Sequence, residues 1–383
     1  MIYFDNSATT KPNEEVLDTF HKVASIYYGN PSSVHSFGLQ TEKLLAQARR
    51  QIASLLNVGE SEIYFTSGGT ESNNLAIKGV ANQFRNRGKH LITTKIEHPS
   101  VENACEYLKK DGFDITYLPV DENGRIHLDD LKKAIRDDTI LVSIMHVNNE
   151  IGVIQPIEEI GSLLQNYPKI LFHVDVVQGI GKVPIDFHKS QIDLATISAH
   201  KFHGLKGTGA LYVREGVKLT PLLHGGNQEK GLRSGTENVP GIVAMAKALR
   251  LAFEDFNQKR HEMEKIRDYL RHELIKIDQT TINTPEMHIA PHILNFSVEG
   301  FKAEVLVNTF SEKQLYVSTT SACSSKRNEP SKTLLAMGVD QKRAESSIRI
   351  SLSYENTIQE AERAVKVIKS SIEKLLPVMR GSI

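Results

Sequence analysis

The sequence predicts an α/β protein: a large, mainly parallel seven-stranded α/β domain followed by a smaller α+β domain. Three observations carry this. Between Ile63 and Arg214, short apolar or β-branched runs alternate with longer amphipathic stretches, the rhythm of βαβ units whose helices cover both faces of a parallel sheet. A long, polar-rich helical stretch follows, with no Gly or Pro after Gly241. From His292 onward, strand-like alternation is mixed with helical periodicity.

The predicted strands are Ile63–Thr66, His90–Thr94, Ile115–Val120, Ile140–Met145, Ile170–Asp175, Asp193–Ser198 and Gly209–Val213, each bounded by turn residues. Apolar residues at helical spacing place crossover helices at Glu71–Asn86, Val101–Lys110, Leu128–Ile135 and Pro156–Leu164. The stretch Asn238–Lys276 reads as one connecting helix. Beyond it come strands at Ile293–Val298, Gln314–Ser318 and Ser347–Leu352, with helices at Ala303–Ser311 and Thr357–Leu376. The resulting division assigns residues 14–258 to the large domain, and 1–13 with 259–383 to the small one. The two halves are joined by a helix rather than a flexible linker, so a ligand is expected in the cleft between them.

Composition narrows the function. The chain has 383 residues, 40% of them hydrophobic, and 46 Lys+Arg balance 46 Asp+Glu. It therefore lacks the basic footprint of a direct nucleic-acid binder. Two cysteines, Cys105 and Cys323, supply neither a disulfide framework nor a paired zinc or redox motif. The N-terminal residues lack the pattern of a signal peptide and no apolar run approaches a membrane span, so a cytoplasmic, reducing location is expected and no membrane partner.

Seven places stand out chemically. After the first strand of the sheet, Thr66-Ser-Gly-Gly-Thr-Glu-Ser72 opens a helix with Gly69 and Thr70 at its start, where free N–H groups and the helix dipole favour a phosphate. A capped turn without a ligand is the alternative. The apolar strand Ile170–Asp175 ends in a carboxylate that needs donors or a cation, and one strand later Lys201 sits just past a strand's C-terminal end, the edge where open α/β sheets bind ligands. A Schiff-base lysine, a carboxylate for a pyridinium nitrogen and a phosphate-binding helix start are the three handles of pyridoxal 5'-phosphate (PLP), although Asp175 and Lys201 could instead form a structural ion pair.

Histidines 98, 146, 173, 200 and 203 complete no metal-ligand pattern, and no metal is expected. For His98, stacking on a cofactor ring competes with a plain helix-start role. Cys105 shares a helical face with Val101 and Leu108 and reads as core. Cys323 lies in a small, polar, partly basic stretch, where exposure and positive charge favour a reactive thiolate. Arg349, alone among Ile348 and Ile350 in an alternating strand, could receive a carboxylate or face solvent. Thr236, in the Gly-rich run His224–Glu237, could reinforce a phosphate site or cap the next helix.

Taken together, Phe4-Asp-Asn-Ser-Ala-Thr-Thr10, Asn30-Pro-Ser-Ser-Val-His35, Thr66–Ser72, Glu97-His98, His146-Val-Asn-Asn-Glu-Ile-Gly152, His173-Val-Asp175 with Gln178, Ser198-Ala-His-Lys201, Arg233-Ser-Gly-Thr236 and Ser321-Ala-Cys323 resemble the cysteine desulfurases of the NifS/IscS type. These belong to the class V aminotransferase group and have the fold-type I PLP fold. The resemblance implies that Lys201 forms the Schiff base, Asp175 meets the pyridine nitrogen, and His98 stacks on the ring and manages protons. It also implies Gln178 and Asn149 on the phenolic oxygen. Gly69, Thr70, Ser198 and His200 would hold the phosphate, with Thr236 reaching over from the other subunit of a homodimer. Arg349 and Asn149 would receive the substrate carboxylate, and Cys323 would take the sulfur of L-cysteine as a persulfide, leaving L-alanine.

Two departures bear on partners. The stretch after Cys323 is as long as in the long-loop members but more basic, which favours delivery to several sulfur-acceptor proteins. The chain stops soon after the last predicted helix, short of the tail by which housekeeping members dock an iron–sulfur scaffold, so a tRNA thiolation enzyme or a thio-cofactor pathway is an equal expectation. Family members commonly carry Ala where Gly69 stands. Selenocysteine lyase activity and a non-catalytic PLP-binding partner protein are the alternatives.

Overall fold

A computed structural model describes residues 1–319 and 330–380. Its strands are β1 (Ile2–Tyr3), β2 (Ile63–Thr66), β3 (His90–Thr94), β4 (Asp114–Leu118), β5 (Thr139–Met145), β6 (Leu171–Asp175), β7 (Leu194–Ser198), β8 (Gly209–Val213), β9 (Thr280–Ile282), β10 (Ile293–Val298), β11 (Leu315–Tyr316) and β12 (Ser347–Ser351). The helices of the first half are α1 (Glu14–Ile26), α2 (Ser36–Leu56), α3 (Gly69–Phe84), α4 (Pro99–Lys110), α5 (Leu128–Ala134) and α6 (Ile157–Leu164). Those of the second half are α7 (Val239–Phe253), α8 (Phe256–Leu274), α9 (Ala303–Glu312), α10 (Lys332–Ala336), α11 (Gln341–Glu345) and α12 (Ile358–Arg380).

All seven predicted strands of the large domain join one sheet, in the order β2-β8-β7-β6-β5-β3-β4. Only β8 runs against its neighbours, pairing antiparallel with both β2 and β7. Strands β5, β6 and β7 are buried along their whole length, which is why they read as nearly unbroken apolar runs. The parallel arrangement brings the C-terminal ends of β5, β6 and β7 to one edge.

The connecting helix is not continuous. The stretch Asn238–Lys276 breaks into α7 and α8 at Glu254 and Asp255, the latter left-handed at φ 52°. Lys259 Nζ holds the carbonyl oxygens of Leu251 (2.6 Å) and Glu254 (2.7 Å) at this break. The break also falls where the chain changes cores: α7 packs on α1 and α2, whereas α8 packs on α12. One hydrophobic core, beneath the large sheet, includes residues from Val16 to Ala252. A separate core joins Ile2 and Phe4 to residues from Ile266 to Ile372, because β1 pairs with β11 and β12 pairs with β10. The N-terminal segment thus leaves the small sheet and runs across to the large one.

Candidate active site

The C-terminal edge of the large sheet opens into a cavity of about 230 Å³. Ten of the twelve residues singled out from sequence line it: Gly69, Thr70, His98, Asn149, Asp175, Gln178, Ser198, His200, Lys201 and Arg349. Thr236 is solvent-exposed and does not line it, and Cys323 lies outside the described residues.

Each strand end delivers one group. Asp175 closes β6 and is held by two donors: the Val177 N–H reaches Oδ1 at 3.0 Å, and Asn73 Nδ2 reaches Oδ2 at 2.8 Å. Those donors, in place of an ion pair, answer the need that the sequence raised for this carboxylate. Lys201 ends the short 3₁₀ turn Ala199–Lys201 that follows β7; its Nζ donates to the carbonyl oxygen of Ala8 at 2.8 Å and also to that of Ser7. Gln178 Nε2 donates to the same Ser7 oxygen at 3.0 Å. The segment Asp5–Thr9 therefore forms part of the wall, a role that no local pattern announces.

His98 is both things the sequence allowed. It caps α4 and also lines the cavity. The Ser100 N–H donates to its Nδ1 at 3.2 Å, so the neutral ring carries its hydrogen on Nε2. Burial, opposed by Asp175 and assisted by Lys201, holds this imidazole below the usual histidine range, so it is neutral at pH 7. His200 touches Thr9 Oγ1 at 3.2 Å and is pushed down to about 4 by burial and by Lys201, Lys206 and Lys182. It can thus donate or accept a hydrogen bond as a neutral ring.

Arg349 does not face solvent. Its strand is buried throughout, and the residue is 1% exposed. One guanidinium nitrogen donates to the Asn149 carbonyl oxygen and another to Asp5 Oδ1, both at 2.9 Å, which leaves Nε buried without a partner among the described residues. Cys105, read as core, is 1% exposed and its thiol is pushed up to about 12 by burial.

Sequence reasoning overlooked Asn73, Ser100, Asp5 and Glu97. Asn73 carried a signal, because it follows Gly69 by four positions and so shares a face with the helix start. Glu97 Oε1 accepts from Thr94 Oγ1 (2.8 Å) and the Met145 N–H (3.0 Å), while Oε2 is buried with no partner among the described residues. Burial outweighs those two bonds and pushes the carboxyl from 4.5 up to about 8. The native state thus keeps a proton that the unfolded chain gives up, so stability present below the unfolded pKa is lost as pH rises through the native one. Between pH 5 and 8 this loss is about 2–4 kcal/mol. Glu97→Gln is expected to flatten it, measured as denaturant midpoints at the two pH values.

The turn that opens α3 is built on glycine at one position and tolerates a side chain at the next. Gly68 has φ +147°, a conformation that L side chains rarely adopt, whereas a Cβ on Gly69 would crowd Val177 Cγ2 at 3.2 Å and meet Ser198 Cβ at 3.6 Å and Thr196 Cγ2 at 3.8 Å in ordinary contact. Gly68→Ala is expected to cost about 1–3 kcal/mol. Gly69→Ala should stay within about 1 kcal/mol of wild type. Thermal unfolding and cofactor titration of the two variants check this.

The residues fit PLP. An amine, a donor-held carboxylate, a flat ring and a helix start flanked by Ser198 and His200 share one cavity. The buried Gln178 Oε1, Asn73 Oδ1 and Ser7 Oγ, without a partner among the described residues, also await a polar group there.

Comparison with known proteins places the chain in a family. The aminotransferase class-V family model matches residues 2–364, and the chain belongs to that PLP-dependent family. A NifS/IcsS protein homolog from Lactobacillus delbrueckii subsp. bulgaricus is 49% identical over 374 residues, covering 95% of this chain and 95% of its own. Cysteine desulfurase IscS from Methanosarcina thermophila is 47% identical, covering 98% of this chain and 92% of its own. A solved structure of a NifS-like protein matches with a TM-score of 0.93 at 42% identity, covering 98% of this chain and 100% of that one.

Proposed function

We propose that this chain is a PLP-dependent cysteine desulfurase that moves the sulfur of L-cysteine onto Cys323 and releases L-alanine. The observation that carries the reading is the convergence of Lys201, Asp175, His98 and Arg349 on one cavity. PLP, when bound, supplies the electron sink that lets a Cα–H bond ionise. Lys201 Nζ would hold the cofactor's aldehyde end and is the amine that would take the proton from the substrate Cα. Asp175, fixed by Asn73 and the Val177 N–H, would keep a proton on the pyridine nitrogen. Gln178 and Asn149 would hold the phenolic oxygen. Gly69, Thr70, Ser198 and His200 would hold the phosphate, together with Thr236 of a second subunit.

Arg349 and Asn149 receive the substrate carboxylate, which fixes the Cα–H direction. Cys323 thiolate attacks the substrate sulfur, so an S–S bond forms on Cys323 as the substrate's C–S bond breaks. The carbon that loses sulfur gains a proton carried by His98 Nε2, and the proton held by Lys201 would return to Cα, to give alanine. Chain geometry permits the attack: Ser318 bridges Arg349 through backbone hydrogen bonds of 3.2 and 2.7 Å. Cys323 follows five residues later, within about 18 Å of extended chain.

The same reading makes the enzyme a homodimer of the cytoplasm, with residues 14–258 binding the cofactor and the remainder presenting Cys323. The persulfide passes to an acceptor protein serving tRNA thiolation, thio-cofactor or iron–sulfur cluster synthesis. Among the described residues no helix is long and apolar enough to cross a membrane. The test is equimolar alanine and sulfide from L-cysteine with a reductant present. A protein that shows the PLP absorbance band yet makes no alanine would overturn the activity while sparing the cofactor.

A further inference from the structure

The stretch Asn227–Thr236 is built in a way that its own residues do not explain. Glu229 and Lys230 are consecutive non-glycine residues in the left-handed region, at φ 47° and 56°, and Gly231 follows at 77°. Such a run is unfavourable for L residues and persists only where surrounding contacts over-determine it. The contacts here all lead to one place.

Glu229 turns its carboxylate inward, where its side chain is 2% exposed, and meets Arg49 through two parallel bonds of 2.7 and 2.9 Å. Its Oε2 also accepts the Phe65 N–H at 2.9 Å, one residue before the phosphate turn begins. Four residues after Glu229, Arg233 Nε donates to Glu71 Oε1 at 2.8 Å. Glu71 Oε2 in turn accepts the Ser67 N–H at 2.8 Å, inside the turn. Lys230 Nζ adds a bond to the Ser61 carbonyl oxygen at 3.0 Å. The stretch is tied to itself by Ser234 Oγ on the Gly226 carbonyl at 2.7 Å and by the Gly235 N–H on Gln228 Oε1 at 3.1 Å.

Two carboxylates therefore grip the backbone on either side of Thr66, one supplied by this stretch and the other held by its arginine. Gly69 and Thr70 open α3 and line the cavity, and the first N–H groups of a helix have no partner within it.

We propose that Asn227–Thr236 is a brace for the phosphate-binding turn, and that Glu229 and Arg233 are positioning residues that hold Gly69 and Thr70 in register for a phosphate ester without touching it. The proposal rests on the reading of Gly69 and Thr70 as the phosphate site.

The brace makes a prediction that separates it from a plain stability role and from bulk charge. Loosening the turn weakens the grip on phosphate but leaves Lys201 and Asp175 in place. Affinity for PLP should therefore fall while affinity for pyridoxal, which lacks the phosphate, should not. Glu229→Gln keeps the side-chain shape and removes one acceptor and one negative charge. Charge alone predicts tighter PLP binding by this variant; the brace predicts weaker binding.

The experiment titrates PLP and pyridoxal into full-length apoprotein and follows the near-visible band, for wild type, Glu229→Gln, Arg233→Met, Arg233→Lys and Thr70→Ala. Glu229→Gln and Arg233→Met should each lower the PLP-to-pyridoxal affinity ratio about tenfold, with Arg233→Lys in between. An unchanged ratio in both, an equal loss for both ligands, or tighter PLP binding by Glu229→Gln would overturn the brace. If one variant fails to fold, the other decides. Thr70→Ala tests the underlying site: a wild type with no preference for PLP over pyridoxal, and no effect of Thr70→Ala, would overturn the phosphate reading itself.

Discussion

Lys201→Ala is expected to abolish the near-visible absorbance band and to lower alanine production from L-cysteine by about 10⁴-fold or more. The size follows from two losses at once, the covalent anchor for the cofactor and the base for the Cα proton, the second of which alone is worth about 10²–10⁴-fold. The fold should survive. Lys201 Nζ donates to the Ser7 and Ala8 carbonyls, and Gln178 Nε2 still serves Ser7 at 3.0 Å after the amine is gone. Thermal unfolding of the variant should therefore stay close to that of wild type.

One neighbour could mimic Lys201, and its geometry argues against it. Lys182 is 4% exposed, and burial together with Lys201 pushes its amine down to about 7, low enough to be neutral and nucleophilic. Yet its Nζ is committed to the Lys201 carbonyl oxygen at 2.7 Å, and Lys182 does not line the cavity. A Lys201→Ala protein that kept its band and its turnover would show that Lys182 or another amine is the anchor, and the assignment would fall.

How far the fold could be read depended on what each residue had to satisfy. Strands β2, β3 and β8 match their predicted bounds because turn residues fall at their ends. The direction of β8 was also open to inference: the stretch between Ser198 and Gly209 holds no helical pattern and is too short for a parallel crossover. The break between α7 and α8 was hidden, because Asp255 is left-handed without being glycine and the carbonyls it frees are capped by a lysine side chain. No local rule marks that.

The site divides along the same line. Asp175 and Lys201 were legible because charged groups at the ends of apolar strands have few alternatives to a ligand or a donor set. Arg349 was ambiguous because alternation separates two faces without saying that both are covered. Asp5 and Glu229 were invisible as site residues, since Asp5 Oδ1 reaches Arg349 at 2.9 Å across 344 positions and Glu229 reaches Phe65 across 164. Such contacts exist only once the chain has folded.

Cys323→Ser is expected to separate the two halves of the reaction. The absorbance band should persist, and so should exchange of the substrate Cα proton with deuterated solvent, because Lys201, Asp175 and Arg349 are unaltered. Alanine and sulfide production should fall by about 10³-fold, equivalent to about 4 kcal/mol in the barrier. A serine hydroxyl is a far poorer nucleophile than a thiolate at neutral pH and cannot store sulfur as a persulfide.

The second cysteine supplies the control. Cys105 sits on α4 beside Val101 and Leu108, with a thiol pushed up to about 12. Cys105→Ser buries a hydroxyl among apolar side chains, so it should cost about 1–3 kcal/mol of stability and leave turnover per folded molecule unchanged. Proton exchange is the deciding readout. If Cys323→Ser lost exchange along with alanine, the thiol would be needed to assemble the site rather than to attack sulfur. If it kept full alanine production, the sulfur would leave without Cys323, and direct release of sulfide would replace persulfide transfer as the mechanism.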